Sequence, residues 1–274
     1  MQNWDEKLNE KLTSYEYKDD VSEEGVNLFF EQMDEESGNA GNSLSWVWKV
    51  AASVVLVMGL SLFAYQITYK TITTSLGETA NVELPDGSVV ALNADSEISY
   101  NRLGWILTRD LRMEGEAFFE VQKGSAFTVY SDLGTTQVLG TSFNINTRND
   151  AYKVQCYTGK VKVDSRDQIA VLTKGQGVKF EYDQTIQNFQ FDTKVQNWVK
   201  GEYHFSNETL SSVLREFELS YGKKVVLDNV LDSMKYSGYF PSNNMDIALK
   251  LICDPMGLTF EKRNDEVLIR SIEK

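Results

Sequence analysis

One uninterrupted apolar segment constrains this chain more than any other feature. Val50 to Tyr65 carries no charge over sixteen residues, and Gln66 and Ile67 extend the run to eighteen. As an α-helix, eighteen residues rise about 27 Å, which is close to the hydrocarbon thickness of a bilayer. The alternatives are a buried core helix, which is rarely apolar on every face, and a cleaved signal peptide, which would not follow 45 mostly polar residues. The segment therefore predicts a single transmembrane helix.

Aromatic and basic residues flank the predicted span, which we place at residues 46–69. Lys49 and Lys70 bracket the run, and Trp and Tyr rings stand where the two headgroup layers would be. One Lys on each side leaves the positive-inside rule without a preference. About 200 residues of folded chain after the helix, and no export signal before it, favour a cytoplasmic N-terminus. The predicted anchor residues are Trp46, Trp48, Val50, Leu56, Leu60 and Tyr65.

Most of the net charge lies in residues 1–45. This region has 12 Asp and Glu against 3 Lys, or -9 of the total of -13, so the other residues carry only -4. Binding to nucleic acid requires clustered Lys and Arg, and the first Arg of the chain is Arg102. We therefore expect no direct nucleic-acid binding, and a basic protein is the better partner for this region.

Two short amphipathic helices are predicted within residues 1–45, because apolar side chains recur there at intervals of three and four. Helices of about twelve residues are marginal alone in water, and two of them cannot enclose a core. They could pack on each other or lie on the bilayer, although their negative charge disfavours the second arrangement. We favour docking into a groove of a basic partner. The expected contact residues are Trp4, Leu8, Leu12, Val26, Phe29, Phe30 and Met33.

In residues 71–185 the spacing of apolar residues changes from the helical period to a period of two. A hairpin is predicted around Pro85 to Gly87, and nine further short strands follow at intervals of roughly ten residues. This pattern predicts an all-β domain, either a sandwich, a jelly roll or a barrel-like sheet. Glu114, Glu116 and Glu120 could form a catalytic carboxylate pair, but nothing nearby marks a substrate groove, so we expect solvated turn acids.

After a predicted linker at residues 186–200, residues 201–274 contain an internal repeat. Phe205 and Phe240 are each followed nine residues later by Leu and seventeen residues later by Gly. Each copy predicts a strand, an Asn-bearing cap (Ser206 and Asn207, or Asn243 and Asn244), an amphipathic helix ended by Gly, and a second strand. Two βαβ units of this size predict a small α/β domain, whose edge strands are suited to binding other strands.

Cysteine and histidine usage limits the chemistry of the chain. We expect Cys156 and Cys253 to be buried free thiols, although a disulfide between them stays open in an exported domain. His204 is the only histidine, which leaves no material for a His-based metal site. The sequence offers no nucleophile and base together. We therefore expect no catalytic residues, no metal and no cofactor.

Six short segments follow one another in a specific order behind the apolar helix. They are Leu84–Ser88 (LPDGS), Leu92–Asn93, Gly115–Val121 (GEAFFEV), Val138–Ile145 (VLGTSFNI), Gly159–Val163 (GKVKV) and Gly175–Gln176. Each segment is weak alone, but the six in this order are specific, and with them residues 46–272 resemble the FecR-type transmembrane anti-sigma factors, in the form common in Bacteroidetes. Trp198, Gly201 and Phe205 open a tail that is similar to the secretin and TonB short N-terminal fold.

The resemblance implies a relay across three compartments. An outer-membrane TonB-dependent transducer would present its periplasmic signalling domain to the C-terminal domain of this chain. The change would pass through the β domain and the inner-membrane anchor, with a site protease in related systems. The cytoplasmic residues would then release or activate an extracytoplasmic-function sigma factor, which controls genes for uptake of an iron chelate or glycan. The expected transducer contacts are Tyr203, Phe205, Tyr239 and Phe240.

A second class of protein stays open as an alternative. The chain could be an envelope-anchored structural or carbohydrate-binding β protein whose acidic tail is only solvated. The stripes that contain Trp4 and Phe29 argue against this, because a solvated tail has no reason to place large aromatic rings at helical spacing. The fold expected in either case is a multi-domain, single-pass membrane protein with a β sandwich and a small α/β domain.

Overall fold

The structure is a computed structural model that describes residues 27–28, 41–181, 185–194, 198–227 and 231–272. The chain divides into two units, Met1–Ala64 and Tyr65–Lys274. The seven residues expected to bind a basic partner lie outside the described residues, so that prediction stays open. These are Trp4, Leu8, Leu12, Val26, Phe29, Phe30 and Met33.

The apolar segment forms one helix, α1, which runs from Gly41 to Thr68 over 28 residues. It includes almost all of the predicted span and begins five residues earlier. The predicted anchor residues Trp46, Trp48, Val50, Leu56 and Leu60 are all 42% exposed or more, and the side chain of Tyr65 lies outside the described ones. Within the described residues, no helix is sufficiently long and apolar to span a membrane. The membrane span stays a prediction.

Among the described residues, the middle of the chain forms two sheets of seven strands each, which confirms the predicted β-rich domain. In both sheets neighbouring strands are antiparallel, except for one parallel pair in the first sheet, Arg109–Glu114 and Phe127–Ser131. The first sheet has, in spatial order, β1 (Tyr69–Thr74), β4 (Ser96–Asn101), β5 (Arg109–Glu114), β7 (Phe127–Ser131), β8 (Gly134–Val138), β11 (Lys160–Ser165) and β12 (Gln168–Thr173). The second has β14 (Ile186–Gln190), β13 (Gln176–Phe180), β10 (Tyr152–Cys156), β9 (Ser142–Asn146), β6 (Glu116–Glu120), β3 (Val89–Leu92) and β2 (Ala80–Glu83).

The core of this sandwich lies between the two sheets, because alternate residues of most strands point inward. In β11, for example, Val161 and Val163 are fully buried while the residues between them are exposed. The rings of Phe119 and Phe143 stack in the second sheet with centroids 4.8 Å apart, and the Phe119 ring also meets Phe127 of the first sheet edge to face. These contacts join the two layers.

The predicted hairpin is confirmed, since β2 and β3 pair through a turn in which Gly87 has a φ of +77°. Three strands were not predicted. β1 and β4 pair along six positions at the start of the domain, and β14 lies within the residues expected to be a linker. In β1 and β14 most side chains are exposed on both faces, so these strands lack the alternation that marks the others.

The C-terminal domain has the predicted repeat of strand, helix and strand. Gly222 and Gly257 have left-handed φ values of +62° and +65° after the helical segments, as expected of residues that end a helix. The elements are β15 (Glu202–Thr209), α2 (Leu210–Tyr221), β16 (Lys224–Leu227), β17 (Lys235–Pro241), α3 (Met245–Cys253), β18 (Leu258–Lys262) and β19 (Glu266–Ser271). β15 pairs with β17, while β16 and β18 flank β19.

Of the two predicted helix caps of the repeat, one is confirmed and one is wrong. Asn244 caps α3 as predicted, and its Oδ1 accepts a hydrogen bond from the Ile247 amide at 3.0 Å. The cap of α2 is Thr209 rather than Ser206 or Asn207. The reason is that β15 continues past Asn207 with a shift in register against β17, and the helix therefore begins later.

Both cysteines are buried and free, which confirms the predicted thiols. Burial raises the pKa of Cys156 to about 11 and that of Cys253 to about 12. The two thiols lie in separate cores, in the sandwich and in the C-terminal domain respectively.

The sandwich has two distinct ends. At its proximal end, β1 begins at Tyr69 and β4 finishes at Asn101 directly opposite. At its distal end, β1 finishes at Thr74 opposite Ser96. The segments that follow β1, β3 and β9 at the distal end contact the C-terminal domain. The start of β1 and the C-terminal domain therefore lie at opposite ends of the sandwich.

Candidate functional site

A buried polar cluster joins the distal end of the sandwich to the C-terminal domain. We call it the Glu116 cluster, and its centre is an ion triad in which one arginine lies between two glutamates. The arginine follows β9, one glutamate begins β6, and the other lies on α2. The members are Glu116, Arg148 and Glu216, with Asn93, Asn144 and Tyr203 around them.

Glu116 is held by amides of the two neighbouring strands. Asn93 donates from Nδ2 to Glu116 Oε2 at 2.7 Å, and Asn144 donates from Nδ2 to Oε1 at 2.9 Å. The backbone amide of Glu116 donates to Ser96 Oγ at 2.9 Å. Glu116 is buried at 7% exposure, so these bonds replace the water that the carboxylate loses.

Arg148 connects the two domains. Its Nη1 donates to Glu116 Oε2 at 3.3 Å and to Glu216 Oε2 at 2.8 Å. Its Nη2 donates to the carbonyl oxygen of Ala94, which fixes the guanidinium against the chain after β3. The Nε atom of Arg148 is buried and has no hydrogen-bond partner among the described residues. One cation of the sandwich therefore contacts a carboxylate of each domain.

The triad carries one more negative charge than positive when all three groups are ionised. Burial raises the pKa of Glu216 from 4.5 to about 7, with Arg148 acting to lower it and Glu116 to raise it. The side chain of Glu216 is 15% exposed. Within this cluster the carboxyl on α2 therefore takes up a proton near neutral pH, while it contacts the other domain.

Neutral hydrogen bonds complete the interface. Tyr203 donates from its hydroxyl to Asn93 Oδ1 at 2.9 Å, and Trp198 donates from Nε1 to Asn144 Oδ1 at 3.1 Å. Burial raises the pKa of Tyr203 to about 12, with Glu116 and Glu216 adding to the rise, so this tyrosine stays a donor at physiological pH. The backbone amide of Gly77 donates to the carbonyl oxygen of Leu219 at 2.8 Å. Asn93 and Asn144 thus each donate from Nδ2 to Glu116, while the Oδ1 of each accepts from Tyr203 or Trp198.

The sequence interpretation of Glu116 as a solvated turn acid is wrong. Its neighbours in that interpretation, Glu114 and Glu120, are exposed as expected. Glu116 differs because it begins β6 beside the end of β3 and the end of β9, where amide and guanidinium groups converge. The residues that surround it are far apart in sequence, and no local pattern indicates them.

The four predicted transducer contacts lie in different environments. Tyr203 and Phe240 stack at 4.9 Å between ring centroids in the core of the C-terminal domain, and Phe205 is half-buried against them. Tyr239 is 44% exposed and stacks on the His204 ring at 5.4 Å. Tyr239 is therefore the most exposed of the four, and the transducer contact stays a prediction.

Two family models match this chain, one within the sandwich and one within the C-terminal domain. The model described as FecR protein matches residues 70–162, within the sandwich. The model described as FecR, C-terminal, matches residues 202–269, which is nearly the whole of the α/β domain. Together the two models match more than half of the 274 residues.

Two solved structures are similar to this chain over most of its length. Both are crystal structures of a candidate anti-sigma factor from Parabacteroides distasonis, at 2.50 and 1.65 Å resolution. The first is 28% identical, and the match covers 75% of this chain and all of that one, with a TM-score of 0.70. The second is 29% identical over 74% of this chain and all of that one, with the same TM-score. Among curated proteins, no significant match was found.

Proposed function

This chain belongs to the FecR family, and we propose that it is an anti-sigma factor anchored in the inner membrane. Its residues 1–45 bind an extracytoplasmic-function sigma factor in the cytoplasm. Its sandwich and its C-terminal domain lie in the periplasm, where the C-terminal domain receives the signalling domain of an outer-membrane TonB-dependent transducer. The genes under control serve the uptake of a nutrient.

The observation that carries the proposal is the similarity to candidate anti-sigma factors over three quarters of the chain, at 28% and 29% identity. The charge distribution supports the cytoplasmic half, because a region of net charge -9 is complementary to a basic protein. A sigma factor binds the phosphate backbone of DNA, and its basic surface is the kind of partner that such a region would cover.

The membrane anchor is supported by the chemistry of α1. No charged residue occurs between Val50 and Tyr65, and large apolar side chains are exposed along the helix from Trp46 to Leu62. In water this much exposed apolar surface is unfavourable, whereas a lipid environment would bury it. Fractionation of the full-length chain with membranes, and its resistance to extraction by alkaline carbonate, would test the anchor.

The Glu116 cluster gives the periplasmic half a means of transmission. Glu216 and Arg148 form a buried ion pair, and separating them would leave a buried charge without its partner, which is unfavourable. A partner that displaces or rotates α2 therefore either breaks this pair or moves Arg148 together with the helix. A contact on the C-terminal domain is thereby felt in the strands of the sandwich. Tyr239 and the edges of β15 and β17 offer surfaces for the transducer.

Capture of a sigma factor by the full-length chain tests the function. The tagged chain is purified from detergent-solubilised membranes of the source cell, and the sigma factors that copurify are identified by mass spectrometry. We expect one sigma factor to be retained. The double variant Phe29→Ala and Phe30→Ala should lose it, because these rings belong to the apolar stripe of the second predicted helix.

The matched control is Glu31→Ala with Gln32→Ala, which changes two adjacent residues outside the stripe. The control should retain the sigma factor, and both variants should remain in the membrane fraction. If no sigma factor copurifies with the unaltered chain, the anti-sigma proposal fails and an envelope-anchored β protein becomes the better description. If both double variants lose the sigma factor equally, the proposed stripe is not the contact.

A further inference from the structure

A short turn at the proximal end of the sandwich exposes three large aliphatic side chains together. The turn is a single 3-10 helix, Gly104–Ile106, between β4 and β5. Leu103, Ile106 and Leu107 around it are 70%, 89% and 87% exposed. Isolated exposed aliphatic residues are ordinary on a protein surface, but a cluster of three on one turn marks a contact surface.

The turn is rigid, so the exposure is built into the fold. The backbone amide of Gly104 donates to Asn101 Oδ1 at 2.8 Å, and the Gly104 carbonyl oxygen accepts from the amides of Leu107 and Thr108. Trp105, in the middle of the turn, points inward and packs edge to face on Tyr100, with centroids 5.2 Å apart. The inward tryptophan fixes the turn while its neighbours face outward.

The position of the turn relative to the apolar run follows from the chain itself. The backbone amide of Arg102 donates to the carbonyl oxygen of Thr68 at 2.7 Å. Thr68 directly follows Ile67, the last residue of the eighteen-residue apolar run. The headgroup layer of a bilayer is about 6 Å thick on each side. This hydrogen bond therefore holds the turn close to the point where the apolar run would leave the lipid.

The charges beside the turn fit a phospholipid surface. Arg102 and Lys70 are both exposed, and Lys70 lies opposite Tyr100 in the β1 and β4 register, two residues from Arg102. The segment from Asn101 to Arg109 contains no acidic residue, although the chain as a whole has a net charge of -13. Basic side chains next to exposed aliphatic ones are the combination found at the surface of anionic membranes.

We infer that this turn is a second membrane contact of the protein. Leu103, Ile106 and Leu107 insert into the interfacial layer of the leaflet where α1 ends, and Arg102 and Lys70 face the lipid phosphates. The inference rests on the proposed anchoring by α1 and adds a fixed attachment of the sandwich to the bilayer. The sandwich would then stand on the membrane and not swing freely on the helix.

The inference is tested with the full-length chain in vesicles of phosphatidylethanolamine and phosphatidylglycerol. A single-cysteine variant, Ile106→Cys, is labelled with an environment-sensitive fluorophore, and Cys156 and Cys253 do not compete because both are fully buried. The matched control is Ile169→Cys, which replaces another exposed isoleucine, on β12 of the same sheet. We expect a nitroxide attached to the lipid chains to quench the label at 106 and not at 169, and aqueous iodide to quench 169 more strongly.

The other outcomes separate this inference from the proposed function. If the chain stays with the vesicles but iodide quenches both labels equally, the anchor holds and the second contact is overturned. If the label at 106 is shielded from both quenchers, and the shielding increases with protein concentration, a second copy covers the turn and the lipid contact is overturned. If the chain does not stay with the vesicles, the anchoring fails and the inference fails with it.

Discussion

The charge on Glu216 should make the junction between the two domains weaker as the pH rises. Its pKa is raised from 4.5 to about 7, mainly by burial, so the folded chain holds a proton on this group that the unfolded chain has released. Between about pH 4.5 and about pH 7 the folded state binds more protons, and the free energy of unfolding therefore falls with rising pH. Arg148 and Lys153 oppose the shift, and Glu116 adds to it.

The magnitude follows from the two pKa values. At about 1.4 kcal/mol per unit, the difference corresponds to about 3 kcal/mol of stability lost when Glu216 is fully ionised. Glu216→Gln keeps an oxygen that can accept from Arg148 and removes the titration. The variant should be more stable than the unaltered chain by up to about 3 kcal/mol above pH 7, and nearly equal to it in mild acid.

Urea unfolding of the full-length chain, followed by tryptophan fluorescence across this pH range, measures the effect. Trp198 lies in the interface and reports on its opening. The control is Glu120→Gln, an exposed glutamate at the other end of the strand that begins with Glu116, and it should leave the pH dependence unchanged. The reasoning is refuted if Glu216→Gln has the same pH dependence as the unaltered chain, or if it is the less stable of the two above pH 7.

Three further changes have defined outcomes. Arg148→Met leaves two buried carboxylates without their cation and should cost about 3–5 kcal/mol in urea unfolding above pH 7, with a smaller cost in acid. Asp86→Asn removes the carboxylate that accepts from Arg109 Nε at 2.7 Å and should cost about 2 kcal/mol at neutral pH. Burial acts to raise the pKa of Asp86, but hydrogen bonds from Ser88 and Arg109 outweigh it and hold the pKa below 3.8, so this contribution is lost only in stronger acid. Tyr239→Ala should change the free energy of unfolding by less than about 0.5 kcal/mol and weaken binding of the transducer signalling domain about tenfold by calorimetry, whereas Tyr130→Ala, an equally exposed tyrosine of the sandwich, should leave binding intact.

The fold was predictable for most strands that have one buried and one exposed face. Val161 and Val163 alternate with exposed residues in β11, and this period of two is visible in the sequence. β4 has a similar alternation and was missed all the same. β1 and β14 were missed because most of their side chains are exposed, and their place in the sheets depends on backbone pairing. The repeat of the C-terminal domain was visible because Gly222 and Gly257 occupy left-handed positions that favour glycine.

The Glu116 cluster was not predictable for a different reason. Asn93, Asn144 and Arg148 lie 23, 28 and 32 residues from Glu116, and Glu216 lies 68 residues from Arg148. Each is an ordinary polar residue in its own segment. Only the pairing of β3, β6 and β9 and the docking of α2 bring them together, so burial and charge at this point are properties of the tertiary structure.

The pairing of β1 with β4 has a mechanical consequence. A pull between the helix and the C-terminal domain is applied to β1 at its first residue, Tyr69, and is resisted at the distal end, beyond Thr74. The force therefore runs along the strand, and the hydrogen bonds of its six paired positions share the load instead of breaking one after another. We therefore expect the sandwich to resist tension better than the domain junction, which is joined by side-chain contacts such as those of Arg148, Tyr203 and Trp198.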